Sequence, residues 1–273
     1  MKKILTVILA LAMIAGMVAM TACSSTPGTT DDTSKDTEKS TGTEAATGNE
    51  ETEKPKLVMA TNAYFPPYEY YEGDDIIGID AEVAKVIADK LGMELVIEDM
   101  EFSAVLAAVD SGKADMAMAG LTVTPERLEN GNFSTSYAKG VQVIIVKEGS
   151  DIKSVDDLEG KKIGVQLSTT GDIYASDDFG DDNVEKYSKG AEAVLALTQD
   201  KVDAVIIDNE PAKSFVAANE GLKILETSYA DEDYAICFAK ENTELKDKVD
   251  AALKELIADG SVQKIVDKYI SAE

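Results

Sequence analysis

The chain has 273 residues, 44% of them hydrophobic, with 52 acidic against 26 basic residues, two cysteines and no histidine, for a formal charge of −26. That charge excludes nucleic acid as a partner, because a polyanion is repelled on approach. The missing imidazole removes Ser/His and Cys/His catalysis and most zinc chemistry, and neither a metal nor a cofactor is expected.

Residues 1–22 open Met1-Lys2-Lys3, run apolar to Met20 and end Thr21-Ala22 ahead of Cys23. Basic start, apolar core and small residues are the parts of a secretion signal, and a cysteine just beyond them resembles the lipobox of bacterial lipoproteins. Lipid on Cys23 is therefore expected to hold the chain to the outer face of the cell membrane. Residues 23–55 are Thr, Ser, Gly, Glu, Asp and Lys with almost nothing apolar. Such a composition cannot offset the entropy of ordering, so a disordered acidic tether is expected. With Cys23 committed, Cys237 in Tyr234-Ala235-Ile236-Cys237-Phe238 reads as a buried small hydrophobe.

From residue 56 to residue 273 strands and helices alternate. The pattern predicts a strand over 57–61, then a helix over 81–91 capped by Asp80, stopped by Gly92 and packing Val83, Val86, Ile87 and Leu91. A strand over 95–97 precedes a helix capped by Ser103 with Leu106 and Val109 inward, and a strand over 116–119 runs into Gly120-Leu121-Thr122-Val123-Thr124-Pro125-Glu126-Arg127. Beyond Phe133 follow a strand over 141–146, a short helix from Ser154, a strand over 163–165, and the loop Gln166-Leu167-Ser168-Thr169-Thr170-Gly171-Asp172 opening a helix. Helices over 191–197 and 211–218 flank a strand over 204–207, and strands over 222–225 and 234–238 lead to two final helices. The first of these turns Leu245, Val249, Leu253, Leu256 and Ile257 inward, the second Val262, Ile265, Val266, Tyr269 and Ile270. Alternation of this kind means open α/β sheets, where ligands collect beyond the carboxyl ends of strands, and two such units imply a cleft between lobes.

Arg127 is the only arginine among the 26 basic residues, in a chain that otherwise uses lysine. A guanidinium presents a planar pair of N–H donors that a lysine cannot reproduce, which suits a carboxylate. Thr124 followed by Pro125 reads as an N-cap and first helical position, so free backbone N–H groups and Arg127 emerge at one helix start. A surface pairing with Glu126 or Glu129 stays open. Asp208 follows the apolar strand Ala204-Val205-Ile206-Ile207 at the mouth of a sheet, either as a cap for the next helix or as a carboxylate awaiting a cation. Taken together, the arginine and the carboxylate form a clamp for a zwitterion, and a free amino acid is the simplest ligand.

The stretches Thr61-Asn62-Ala63-Tyr64-Phe65-Pro66-Pro67-Tyr68, Gly78-Ile79-Asp80, Asp99-Met100-Glu101-Phe102, the loop ending at Arg127, Phe133-Ser134 and Val205-Ile206-Ile207-Asp208 resemble, in order, the polar amino-acid binding proteins of ABC importers. The resemblance implies a two-lobed type II periplasmic-binding-protein fold with two crossover strands. It places the first lobe at 56–137 and 234–273 and the second at 138–233, with crossings near Tyr137 and Tyr234. By position it implies that Gly120 accepts the ligand ammonium through its carbonyl, that Thr122 contributes hydroxyl and N–H, and that Arg127 takes the carboxylate. Thr169 and Thr170 would join Arg127, Asp208 would meet the ammonium, Phe65 and Phe102 would wall the side chain, and Asn62 and Gln166 would complete the ligand contacts.

Asn62 and Tyr64 depart from an acidic pattern associated with cationic ligands, and Gln166 and Ser168 depart from a lysine and a glycine seen in some relatives. A polar ligand, neutral or basic, is expected, with Glu69, Glu101 and Asp231 as sources of negative charge. The resemblance further implies a monomer that hands its ligand to a membrane permease and makes or breaks no bond. The alternatives are an amino-acid-sensing surface lipoprotein and, on the same scaffold, a dehydratase of a cyclic carboxylic acid using Glu101 or Asp208.

Overall fold

The computed structural model describes residues 53–270. The expected signal over 1–22, Cys23 and all but the end of the tether lie outside the described residues. Among the described residues no helix is long and apolar enough to cross a membrane.

The elements run β1 Lys56–Thr61, β2 Tyr64–Phe65, β3 Glu69–Glu72, β4 Asp75–Ile77, α1 Ile79–Leu91, β5 Glu94–Asp99, α2 Phe102–Asp110, β6 Met116–Ala117, α3 Pro125–Asn130 and β7 Gly131–Phe133. They continue with β8 Ala138–Lys147, β9 Ile163–Gln166, α4 Thr170–Phe179, β10 Val184–Tyr187, α5 Gly190–Thr198, β11 Ala204–Asp208, α6 Asn209–Ala218, β12 Leu222–Ile224, β13 Ala230–Tyr234, β14 Cys237–Ala239, α7 Thr243–Ala258 and α8 Ser261–Tyr269. A 3-10 turn, Val155–Leu158, follows Ser154 as expected.

Two sheets carry the molecule. The first has the order β5-β1-β6-β14-β7, and the second β10-β9-β11-β8-β12 with β13 also paired to β8. Period-two alternation gives each sheet two apolar faces. In the first, Leu57, Met59 and Met116 face α1, α7 and α8, packing with Val83, Ile87, Val249 and Leu253. Ala60 and Ala117 face the other way onto Val105 and Val109 of α2. In the second, Val143, Ile145, Val205 and Ile207 pack with Val194 and Leu197 of α5, whereas Ile144, Val146 and Ile206 pack with Ile163, Val165 and Ala175.

The chain leaves the first sheet after Phe133, enters the second at Ala138, and comes back between Tyr234 and Cys237. The single strand expected over 234–238 is therefore two. Tyr234 pairs with Ala138 in the second sheet and Cys237 with Phe133 in the first. One apolar run is divided between the pairings of two sheets, which hydrophobicity alone cannot show.

Other expectations need correction. Asp80 does not cap α1: the helix starts two residues earlier than expected, at Ile79 behind Gly78, and Asp80 is wholly buried in its first turn. Its Oδ2 accepts the Gly120 N–H at 2.9 Å and its Oδ1 the Tyr137 hydroxyl at 2.7 Å. It thus spends its oxygens on the Gly120 loop and on the crossover. Helix α2 begins at Phe102 with no side-chain cap, so Ser103 lies inside it, and Val105 and Ala108 are buried where Leu106 is only half-buried. Ile257 on α7 is 38% exposed, because Leu256 takes the inward position beside it. The small sheet β2-β3-β4 and strands β7 and β10 are additions to the pattern read from the sequence.

Candidate ligand-binding site

Thr124 sits extended at the N-cap of α3, its hydroxyl accepting the Arg127 N–H at 3.2 Å, with Pro125 in the first turn. The cap turns Arg127 inward. Its guanidinium is buried, donates through Nη1 to the Thr122 carbonyl at 2.8 Å and through Nη2 to the Ser168 carbonyl at 3.4 Å, and lies 5.8 Å from the centroid of Phe102. Both oxygens are neutral, and no carboxylate of the described residues pairs with Arg127, so the surface pairing with Glu126 or Glu129 is not found. Burial lowers its pKa, and Glu232 is the strongest charge opposing that.

Asp208 ends β11 and begins α6. Only 1% exposed, it accepts the Glu210 N–H at 3.3 Å on Oδ1 and the Tyr234 hydroxyl on Oδ2. It is thus both a cap and a cleft residue. Burial raises its carboxyl to about 7; hydrogen bonds from Tyr234 and Glu210 pull it down while Glu232 pushes it up. Gly140 on the neighbouring strand makes room for this pair, since a Cβ there would lie 2.7 Å from Asp208 Oδ2 and 2.5 Å from Tyr234 Cζ.

One cleft is lined by all ten residues expected from the sequence: Asn62, Phe65, Phe102, Gly120, Thr122, Arg127, Gln166, Thr169, Thr170 and Asp208. The first six come from segments attached to the first sheet, Phe65 on β2, Phe102 on α2 and Arg127 on α3 among them, and the last four from the second sheet and the helix that follows β9. Gly120 has φ +52° and a Cβ there would meet Phe65 at 2.8 Å, so the loop needs glycine to pass under that ring. Phe65 in turn stacks on Tyr68, with centroids 5.9 Å apart. Thr169 caps α4, its hydroxyl donating to the Gln166 carbonyl at 2.7 Å and accepting the Asp172 N–H at 3.3 Å. With that hydroxyl committed, the cleft receives from this loop chiefly the N-terminus of α4 at Thr170.

Asn62 and Gln166 bond each other across the cleft. Asn62 Oδ1 accepts Gln166 Nε2 at 3.0 Å while Asn62 Nδ2 donates to the Met100 carbonyl at 2.7 Å. At the rim Lys189 Nζ lies 3.4 Å from the Tyr64 ring centroid. With the Arg127–Ser168 bond, these contacts hold the two sides together.

Glu69, Gln142, Glu232 and Tyr234 also line the cleft. Of the three acids expected to supply charge, only Glu69 is there. Glu101 and Asp231 are exposed, and Glu232 faces inward instead. The run Ala230-Asp231-Glu232-Asp233-Tyr234 conceals which acid points in, yet period two puts 232 on the face of the aromatic at 234. A lone glutamine in the apolar strand Ala138–Lys147 was the sequence signal for Gln142. Cys237 is buried, its thiol pushed up to about 12 by burial.

Two α/β sheets, a twofold crossing of the chain and a polar cleft between them are the arrangement of a two-lobed solute-binding protein. The chain belongs to the bacterial extracellular solute-binding proteins, family 3, whose model matches residues 57–272. It is 33% identical over 238 residues to the arginine-binding extracellular protein ArtP of Bacillus subtilis (strain 168), covering 85% of this chain and 93% of that one. With the L-cystine-binding protein TcyJ of Escherichia coli (strain K12) it shares 28% over 231 residues, 82% of this chain and 86% of the relative. The crystal structure of the arginine-, lysine-, histidine-binding protein ArtJ from Geobacillus stearothermophilus superposes with a TM-score of 0.76 at 36% identity, covering 80% of this chain and 96% of that one.

Proposed function

We propose that this solute-binding protein captures a free polar amino acid outside the cytoplasm and delivers it to the membrane permease of an ABC importer. The observation that carries the reading is the opposition, in one buried cleft, of Arg127 with its unused N–H donors and Asp208 with its carboxylate. The ligand carboxylate docks on Arg127 and the N-terminus of α4, the ammonium on Asp208 and the Gly120 carbonyl, and the side chain lies between Phe65 and Phe102.

Residues 56–137 and 234–273 act as one lobe and 138–233 as the other, hinged at the crossings near Tyr137 and Tyr234. Hinge closure about a ligand is the motion known for periplasmic binding proteins, and the ligand shifts the equilibrium only by its preference for the closed form. Lipid on Cys23 keeps the monomer beside its permease. No bond in the ligand is made or broken. The amino acids named for the relatives support a ligand carrying both an α-carboxylate and an α-ammonium.

Thermal unfolding against the twenty amino acids tests this, since a ligand that binds only the native state raises the melting temperature. At least one polar amino acid should do so; a panel without any shift contradicts the reading. Uptake by a deletion strain separates a transport receptor from a sensor, because only loss of the former abolishes import of the ligand.

A further inference from the structure

Among the described residues, five buried side-chain oxygens lack a hydrogen-bond partner, and four of them belong to the cleft: both carboxyl oxygens of Glu69, Gln142 Oε1 and Glu232 Oε1. These side chains are 0%, 4% and 5% exposed and come from β3, β8 and β13. Buried polar atoms are almost always paired, so a cluster of orphans in one cleft states what its occupant must bring. Gln142 Nε2 is committed to Glu232 Oε2 at 3.0 Å. The amide therefore presents its oxygen, and the atoms left unpartnered in this corner are all acceptors; burial and the neighbouring Asp80 raise the Glu69 carboxyl well above its ordinary value, so an ionised Glu69 needs a cation beside it.

Charge points the same way. The cleft is lined by one cation, Arg127, and by three carboxyl groups, Glu69, Asp208 and Glu232. A zwitterion uses Arg127 and Asp208 and leaves the other two acids and the amide oxygen without donors. A neutral side-chain amide supplies donors together with a carbonyl that faces acceptors. A guanidinium or an ammonium supplies donors alone, with a positive charge. The neutral Asn62 does not argue against this, because both ends of its amide are engaged by Gln166 and Met100.

We propose that Glu232, Gln142 and Glu69 select an amino acid with a cationic, N–H-rich side chain. The inference rests on the amino-acid receptor reading given above. Calorimetry with L-arginine, L-lysine and L-citrulline tests it, citrulline being the neutral near-isostere of arginine. The better of the two cations should bind about 100-fold more tightly than citrulline, as expected of a site built around a ligand's donors. Glu232→Gln should weaken the cation about tenfold or more and citrulline by less than about threefold, because only the cation loses a charged partner. Glu69→Gln should act in the same direction, so the inference does not depend on one variant folding. Citrulline binding as tightly as the cations, or both variants weakening all ligands equally, overturns the selectivity while leaving the receptor reading intact. If no amino acid binds at all, the receptor reading fails and takes this inference with it.

Discussion

Arg127 is held by its neighbours in a way a lysine cannot copy, since Nη1 and Nη2 reach two different carbonyls, Thr122 and Ser168, on opposite sides of the cleft. Arg127→Lys should weaken ligand binding by about 2–5 kcal/mol, the usual effect of truncating one partner of a buried charge pair. Titration calorimetry reads this directly, and a change of only a few tenths would remove Arg127 from the ligand. Asp208→Asn should cost a similar amount for an amino acid and little for its des-amino analogue. Asp208 also sets a pH dependence. Its folded carboxyl is raised to about 7, so the proton it holds stabilises the empty protein in acid, and that contribution is lost as pH rises through about 7. An ammonium ligand needs the ionised form. Affinity should therefore fall by up to about tenfold per pH unit below 7 and level off above it. Glu232, Glu210, Tyr234 and Tyr68 face the same carboxyl, and a flat profile from pH 5.5 to 8 would contradict this assignment.

At the scale of elements, β8 and β13 do more than connect. Gly140 on β8 leaves the space in which Tyr234 reaches Asp208. Gly140→Ala should lower stability by about 1–3 kcal/mol through overpacking, since backbone and ring both have little freedom to yield. Chemical denaturation measures that, and an unchanged midpoint would mean the pair relaxes freely. These strands also mark the limit of what the sequence discloses. The helix start at Thr124-Pro125, the loop into α4 and the carboxylate at the end of β11 are local chemistry, legible because each cap or strand end is written in a few adjacent residues. The short strands β2, β3, β4 and β7 carry too few residues for periodicity. The division of Tyr234 from Cys237 depends on partners far away in the chain. Glu232 and Asp231 are told apart by the face of β13 they occupy, and the mark of that lies in the spacing to Tyr234, not in the acids themselves.

At the scale of the whole molecule, the two large sheets of the described residues meet at one cleft, crossed by polar contacts and by Phe65, which packs against the cores on both sides. Lys189 over Tyr64 sits at the rim, away from the ligand poles. Tyr64→Ala should raise the dissociation rate with an affinity loss of about 0.5–2 kcal/mol, the range of cation–π contacts, and stopped-flow release would show it. A mutant that releases at the native rate would deny the contact any part in closure. Bending at the two crossings would move the lobes as rigid bodies, the closure the proposed function calls for. The most direct test takes the tightest-binding amino acid and blocks each pole in turn, comparing the free ligand with its α-methyl ester and its Nα-acetyl derivative by calorimetry. Each blocked form should lose about 2–5 kcal/mol or more, because one buried charge on the protein is stranded in each case. If either derivative binds as tightly as the free amino acid, Arg127 and Asp208 do not grip the two ends of one ligand.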